Sequence, residues 1–389
     1  MQTEFSRHSS WVLCIAFVAM IVLPMILQTV GGDPDQQQEN RELARLPTTI
    51  EWRKPDEFIE KFDAYFQDNF GWRGFLIDAH ARYKTLFGVS PSEKVIIGTD
   101  GWLFFTGNKV IENYRGLRPF DEVQLERQRL YLEAKSDWLA VQGIHYIYMA
   151  APDKHTIYGE FIPSRFSKES DVTRLDLLTG HLSGSSKFSI VDPRAAMVEA
   201  KSGGRLYHKT DSHWNLDGAF VGYQVLTDRI EKQFPQFRGK SVDDYTKRWV
   251  MGPQGDLGRI VGLEGVYSEE RVEYQSRSQR CAKVVDSYLR AERFSGTGAS
   301  AVATECVNGS LHVVLFHDSF GLALINFLKE DFHHMDRVNR RFNVEALEDL
   351  IRTNKPDLVL EVSVERLVGR IPTLDEIEGM RERIARLQD

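Results

Sequence analysis

The sequence has few cysteines, no excess of positive charge, no internal repeat and no low-complexity tract. Its 389 residues carry 49 Lys and Arg against 56 Asp and Glu, a formal net charge of −7 at pH 7. This balance excludes a protein that collects nucleic acids by a general positive field. Hydrophobic residues make up 42% and charged residues 27%, which excludes a disordered or collagen-like chain and is ordinary for a globular protein.

The longest uncharged run lies near the amino terminus. Residues 11–30 read WVLCIAFVAMIVLPMILQTV and follow Arg7, and a helix needs roughly twenty apolar residues to cross a bilayer. Residues 28–32 form a poor cleavage signal, so we predict an uncleaved anchor, with a cleaved signal peptide as the alternative. The predicted organisation is a cytoplasmic tip and transmembrane signal-anchor at 1–32, a tether at 33–54, and a domain at 55–389 in the periplasm or its equivalent.

The cysteines are consistent with that compartment. Cys14 lies in the apolar run, whereas Cys281 and Cys306 flank a charged segment that is rich in Gly and Ser. In an oxidising compartment these two would close the segment as a disulfide, although two unpaired cysteines fit the sequence almost as well. We predict no metal site, because the chain has no Cys-x-x-Cys motif and no ladder of Cys and His.

Helical and strand patterns alternate through most of the remaining chain. Residues 121–141 predict an amphipathic helix before a strand at 144–150, and an apolar strand at 311–316 precedes a helix that includes 322–328. Such units imply an α/β domain with a largely parallel sheet and helices on both faces. Residues 235–310 fit the alternation poorly, and we predict that they form an insertion near the site.

Ser319 is the sharpest candidate for a reactive group. It follows the strand at 311–316 and precedes a helix, so it lies where free backbone N–H groups would favour a developing oxyanion. Taken alone, Asp318 or Ser319 fits the role of a helix cap equally well.

A serine nucleophile needs a base, and the base needs a group that orients it. An Asp-x-His pair supplies both, and the chain contains four such pairs. Asp78/His80 lies in a helical stretch, where positions two apart point in different directions, and Asp331/His333 follows the helix after Ser319. Spacing alone does not choose between the other two pairs, Asp153/His155 and Asp211/His213.

Two motifs in order carry a family resemblance. Asp211-Ser212-His213-Trp214 before a helix, and His317-Asp318-Ser319-Phe320-Gly321 after a strand, resemble the AlgJ/AlgX-like family of alginate acetyltransferases, which are SGNH hydrolase-like proteins. Residues 95–104 look like the entry hairpin of that family. Residues 151–154, Tyr158, Pro163 and 365–366 are also similar to it. Two positions depart from the family pattern: His317, where Gly is usual, and Ser212, where Thr is common.

By this resemblance Ser319 is the nucleophile, His213 the base and Asp211 its orienting group. The implied fold is a three-layer α/β/α SGNH-like domain, and the implied activity moves acetyl groups onto hydroxyls of a secreted polysaccharide such as alginate. The resemblance also implies an MBOAT-type integral membrane protein as acetyl donor, and it requires no cofactor or metal. Weaker candidates for contact with the polymer are Trp214, Lys154 and Arg366.

Two other functions use the same residues or the same fold. An acetylesterase would use the same three side chains with water as acceptor, and the sequence does not separate it from a transferase. A non-catalytic protein that binds or assembles the polysaccharide would need only the fold. The intact set of Asp211, His213 and Ser319 argues against this last function.

The anchor leads to a direct test. If residues 11–30 are not cleaved, the mature protein retains them and fractionates with the inner membrane. Amino-terminal sequencing that instead begins near Gly32 or Asp33 would contradict the anchor and leave the catalytic prediction untouched.

Overall fold

The computed structural model describes residues 11–19, 22, 26, 44–48, 55–70, 73–186, 188–262, 268–289 and 301–388, and it divides into two compact units, Met1–Pro91 and Ser92–Asp389. Of the predicted anchor, residues 11–19, 22 and 26 are helical, and the rest lies outside the described residues. Within those described stretches, no helix has both the length and the apolar character needed to span a bilayer.

The first unit contains two helices, α1 (Pro55–Asn69) and α2 (Arg73–Leu86). The short stretch 44–48 is tied to the end of α1. Asp68 accepts a hydrogen bond of 2.9 Å from the Ala44 N–H, and the Asn69 side chain donates one of 3.0 Å to the Ala44 carbonyl. Part of the predicted tether is therefore bound to the first helix.

The second unit begins with a hairpin and then alternates helices and strands. Its strands are β1 (Val95–Ile97), β2 (Leu103–Phe105), β3 (His145–Ala151), β4 (Tyr245–Pro253), β5 (Ser268–Ser276), β6 (Lys283–Val285), β7 (Ala301–Glu305), β8 (Ser310–His317), β9 (Phe332–Val338) and β10 (Leu358–Val364). Its helices are α3 (Val110–Tyr114), α4 (Glu122–Ala140), α5 (Lys154–Ile157), α6 (Arg174–Ser185), α7 (Arg194–Ala200), α8 (Leu216–Gln233), α9 (Asp256–Ile260), α10 (Gly321–Leu328), α11 (Val344–Thr353) and α12 (Leu374–Gln388).

Six strands form the central sheet in the order β3-β10-β8-β9-β7-β6. The first four are parallel, whereas β7 and β6 are antiparallel to their neighbours. The prediction of a largely parallel sheet is therefore corrected to a mixed sheet. Both antiparallel strands come from residues 235–310, the segment that fits the alternation of helices and strands poorly, and antiparallel strands need no crossover helix. The rest of that segment contributes the separate hairpin of β4 and β5.

Helices cover both faces of this sheet, which gives the three predicted layers. Alternate side chains of a strand point to opposite faces. Val313 and Leu315 of β8 pack in the cluster that contains α8 and α10, whereas Val314 and Phe316 pack in the cluster that contains α4, α6 and α11. All four side chains are fully buried.

The disulfide predicted between Cys281 and Cys306 is present in the structure, with Cα atoms 4.9 Å apart. It joins the chain before β6 to the end of β7. The Cys281 N–H also donates a hydrogen bond of 2.9 Å to Glu330. The edge strands of the sheet are thus linked covalently as well as by backbone pairing.

We expect replacement of both Cys281 and Cys306 by Ala to lower the free energy of unfolding by about 3 kcal/mol, because the bond closes a loop of roughly 25 residues in the unfolded chain. Denaturant titration of protein recovered from an oxidising compartment measures this loss. Cys14→Ala is the control and should leave the midpoint unchanged. Two freely alkylated thiols in a non-reducing peptide map would contradict the bond.

Candidate active site

Three parallel strands bring polar residues to one edge of the sheet. β3, β8 and β10 are neighbours, so their carboxyl ends meet at the same edge, where reactive groups collect in open α/β sheets. β3 is followed by Asp153 and Lys154, β8 by Asp318 and Ser319, and β10 by Glu365 and Arg366.

Asp318 shapes the turn that presents Ser319. Its carboxylate accepts a hydrogen bond of 2.9 Å from the Phe320 N–H and one of 2.7 Å from the Val364 N–H. The Asp318 N–H donates to the Val362 carbonyl at 3.2 Å. Burial raises the pKa of Asp318, although these backbone N–H groups oppose the rise. The hydrogen bonds of Asp318 therefore fix the turn that contains Ser319 to the end of β10.

His317, one of the two departures from the family pattern, fills the space behind this turn. It is 1% exposed, and its Nδ1 lies 2.7 Å from the Asp318 carbonyl oxygen. Burial lowers the pKa of His317, which favours a neutral ring that donates from Nδ1. A Cβ atom at Gly321 would lie 2.5 Å from the His317 Cβ, so only glycine allows α10 to begin this close to the ring.

The structure brings together the three residues predicted to be catalytic. The loop before α8 carries Asp211 and His213, and the Asn215 side chain caps α8 by accepting a hydrogen bond of 2.9 Å from Gly218. His213 Nε2 lies 2.7 Å from Ser319 Oγ, and His213 Nδ1 lies 2.7 Å from Asp211 Oδ1. The His213 side chain is 28% exposed, so the hydroxyl end of this chain of hydrogen bonds can be reached from solvent.

Hydrogen bonds keep Asp211 ionised. Burial alone would raise its pKa, but the bonds from the His213 ring and from the N–H groups of Asp256 and His213 outweigh burial and hold the pKa well below its usual range. A carboxylate only accepts hydrogen bonds, so His213 must donate from Nδ1. The lone pair of Nε2 then faces Ser319, as a general base requires.

Asp256 and Gly255 support this loop, and sequence reasoning missed both. Asp256 accepts hydrogen bonds of 2.7 Å from the Ser212 N–H and 2.6 Å from the Ser212 hydroxyl, and its own N–H donates to Asp211. A Cβ atom at Gly255 would lie 2.2 Å from the Asp211 Cβ. Only a signal of long-range pairing could have found these residues, because the segment 235–310 has no periodicity that points to the loop.

Lys154 holds the same loop from the β3 side. Its ammonium donates to the carbonyls of His208, Lys209 and Asp211 at 2.9, 3.0 and 2.8 Å. Burial lowers the pKa of Lys154 to about 7, although the charges of Glu269 and Asp211 oppose this. The predicted contact with substrate is therefore corrected: the ammonium is buried and its three donors are used within the protein.

Trp214 and Arg366, the other weak candidates for substrate contact, also have internal partners. Trp214 is 2% exposed, and its indole N–H donates to the Phe320 carbonyl at 3.1 Å. Neither face of its indole ring is exposed for a sugar to stack on, so this prediction is corrected as well. Arg366 forms a buried ion pair with Asp153, the residue that precedes α5, so its guanidinium is bound within the protein.

The competing pairs Asp153/His155 and Asp331/His333 do not form a comparable arrangement. Asp153 is paired with Arg366, and His155 packs against Phe104 and Tyr114. His155 is 2% exposed, and burial lowers its pKa to about 3. Asp331 instead accepts a hydrogen bond of 2.7 Å from the Tyr223 hydroxyl.

The arrangement fits covalent catalysis better than metal binding. Asp211, His213 and Asp256 lie close enough to hold a cation, but the Asp211–His213–Ser319 bonds already use the imidazole on both sides. In the described part of the chain, the Ser319 N–H makes no hydrogen bond and is available to an oxyanion. A serine hydroxyl, an imidazole and a carboxylate thus lie in the order that covalent catalysis by a serine requires.

Comparison with known proteins finds relatives in sequence and in fold. The probable alginate O-acetylase AlgJ of Pseudomonas putida is 24% identical over 197 residues, which are 50% of this chain and 48% of that protein. The chain therefore spans about half the length of this curated relative in the match.

Two solved structures share the fold at 17% sequence identity. The O-acetyltransferase domain of Pseudomonas putida AlgJ has a TM-score of 0.50 and covers 76% of this chain and 99% of its own. Bacillus cereus PatB1 with a sulfonyl adduct has a TM-score of 0.51, covering 72% of this chain and 98% of its own. At this identity the likeness establishes the fold alone.

A family model described as the SGNH hydrolase-like domain of acetyltransferase AlgX matches residues 95–304, more than half of the chain. The matched range contains Asp211 and His213 and ends before Ser319. The resemblance seen in the two sequence motifs is confirmed, and this chain belongs to the AlgJ/AlgX-like family of SGNH hydrolase-like proteins.

Proposed function

We propose that this protein is an O-acetyltransferase that moves acetyl groups onto hydroxyls of a secreted polysaccharide, alginate or a similar polymer. The observation that supports the proposal is the position of His213, 2.7 Å from both Ser319 Oγ and Asp211 Oδ1. Membership of the AlgJ/AlgX-like family agrees with it, since the named relative is a probable alginate O-acetylase.

In the first half-reaction Ser319 takes the acetyl group. As Oγ attacks the acetyl carbonyl carbon of the donor, His213 Nε2 removes the hydroxyl proton, and the carbonyl electrons move onto oxygen near the Ser319 N–H. The bond to the donor's leaving group then breaks, and His213 returns the proton to that group. Asp211 stabilises the imidazolium that exists between the two steps.

In the second half-reaction a sugar hydroxyl attacks the acetyl ester on Ser319. His213 removes the proton of that hydroxyl and later gives it to Ser319 Oγ, which restores the free enzyme. No metal or soluble cofactor takes part in this scheme. An acetylesterase differs only in that water replaces the sugar hydroxyl.

The donor in this proposal is an MBOAT-type integral membrane protein. The periplasm has no supply of acetyl-CoA, so a membrane partner must pass acetyl groups across the inner membrane. An uncleaved anchor at residues 11–30 would hold the enzyme next to that partner on the periplasmic side.

We expect Ser319→Ala, His213→Ala and Asp211→Asn each to lower kcat by roughly 10³-fold or more, because the three side chains act as one unit. For the same reason the double variant Ser319→Ala/His213→Ala should be no worse than Ser319→Ala alone. Initial rates with a small activated acetyl ester measure the effect, with His333→Ala, the exposed histidine of a competing pair, as control. Full activity of Ser319→Ala in protein of unchanged thermal stability would contradict the assignment.

Transfer and hydrolysis are separated by the fate of the acetyl-enzyme. After a single turnover with an activated ester, added polysaccharide should discharge Ser319 faster than water does and should itself gain acetyl esters. Mass spectrometry of the peptide that contains Ser319 follows the discharge, and NMR of the polymer follows its acetylation. If water clears the enzyme at the same rate and the polymer gains nothing, the protein is an acetylesterase.

Gly255→Ala tests whether the loop geometry matters. The added methyl group would meet Asp211 at 2.2 Å, which must displace the carboxylate from His213. Because a displacement of about 1 Å costs roughly 10²-fold in rate, we expect a loss of that size in kcat. Gly203→Ala is the matched control, since a Cβ at Gly203 meets nothing within 4 Å. Equal activity in the two variants would show that Asp211 does not depend on this close approach.

A further inference from the structure

A second cluster of histidine and carboxylate side chains lies on the central sheet away from Ser319. Glu305 of β7 pairs in register with His334 of β9, and His334 pairs in register with His312 of β8. Asp336 lies two residues beyond His334, and therefore on the same face of β9. His312 lies near the start of β8, and the carboxyl end of β8, beyond which Ser319 lies, is roughly 17 Å further along the strand.

Three ligand atoms converge in this cluster. His312 Nε2 and His334 Nε2 lie 3.0 and 3.2 Å from Asp336 Oδ2. All three atoms lie within 4.8 Å of one another. A tetrahedral Zn²⁺ ion with bonds of about 2.0–2.1 Å holds its ligand atoms about 3.3–3.4 Å apart. The two histidine nitrogens therefore lie almost at the distance from the carboxylate oxygen that such an ion requires.

We propose that His312, His334 and Asp336 bind a Zn²⁺ ion. Imidazole and carboxylate groups together suit a divalent transition metal, and two neutral imidazoles with one carboxylate form a common Zn²⁺ ligand set. The side chains of the three residues are 12%, 5% and 0% exposed, so the ion would be largely shielded from solvent. Water or a protein oxygen completes the fourth position.

The hydrogen bonds around the three ligands resemble those that orient the ligands of metal sites in proteins. His334 Nδ1, the nitrogen that faces away from the ion, lies 3.2 Å from Glu305 Oε1. A metal-bound histidine typically donates its other N–H to such a carboxylate, which fixes the tautomer and the ring orientation. The second oxygen of Asp336 accepts hydrogen bonds from the Ser287 hydroxyl at 2.6 Å and the Tyr288 N–H at 2.8 Å.

The ion also has a structural role in this arrangement. Ser287 and Tyr288 follow β6, at the antiparallel edge of the sheet, whereas the three ligands lie on β8 and β9. Binding at Asp336 would therefore tie the segment after β6 to the parallel strands. The Cys281–Cys306 bond links the other end of the same edge. We expect the ion to stabilise the fold and not to take part in acyl transfer.

The test uses full-length protein purified without a histidine tag, stripped with a chelator and titrated with Zn²⁺. Calorimetry and elemental analysis should give one ion per chain at this site, and Zn²⁺ should raise the unfolding temperature. Co²⁺ used in place of Zn²⁺ should give the visible absorption of a four-coordinate site. We expect His312→Ala to weaken binding by at least about 100-fold, and Glu305→Gln, which acts through His334, by roughly 10-fold.

Two variants are controls for this site. His333→Ala removes an exposed histidine on the opposite face of β9 and should bind Zn²⁺ as the native protein does. His213→Ala removes the alternative ligand set at Ser319 and should also retain the ion. Asp336 is fully buried, so Asp336→Asn can also impair folding. Loss of Zn²⁺ in that variant therefore counts only if His312→Ala, at a more exposed position, loses the ion as well.

Native protein that neither retains nor gains Zn²⁺, and is not stabilised by it, would overturn the proposal and leave a hydrogen-bonded cluster. Binding that survives His312→Ala and is lost in His213→Ala would overturn it as well, by placing the ion at the catalytic loop. Either outcome leaves the proposed acetyl transfer unaffected, because that activity is measured at Ser319 without added metal.

Discussion

The parallel pairing of β3, β10 and β8 is the constraint on which the candidate site depends. It brings the carboxyl ends of three strands to one edge, so that Ser319, Lys154 and Arg366 lie side by side although they are far apart in the chain. The strand-end carboxylate of Asp318 then joins β8 to β10 by its bond to Val364. Ser319 is therefore held at the edge of the sheet by the pairing of β8 and β10.

His213 reaches this edge because polar groups from three segments hold its loop. Lys154 binds three carbonyls of the loop, Asp256 binds Ser212, and Asp211 lies against the backbone of Gly255. Burial of these charged groups is costly unless each is hydrogen-bonded, and here each has such partners. Lys154, which sequence reasoning assigned to the substrate, instead lies inside the protein and supports the loop that carries His213, and Trp214 is buried against Phe320.

Features carried by local patterns could be predicted from the sequence, whereas features carried by distant pairing could not. The apolar strand before Ser319 and the order of the two family motifs predicted that Ser319, His213 and Asp211 belong to one site, and the structure brings the three together. The antiparallel strands β6 and β7 and the support from Asp256 lie in residues 235–310, where no periodicity exists. The cluster of His312, His334 and Asp336 could not be predicted either, because its members lie on separate strands and come together only through the register of β8 and β9.

The most direct test of the central claim is labelling with an aromatic sulfonyl fluoride, followed by peptide mapping. The account predicts a single fast modification on Ser319, which is lost in Ser319→Ala and slowed strongly in His213→Ala, because only a serine deprotonated by a neighbouring base attacks the reagent quickly. Modification of another residue, or labelling of Ser319 that is equally fast without His213, would contradict it.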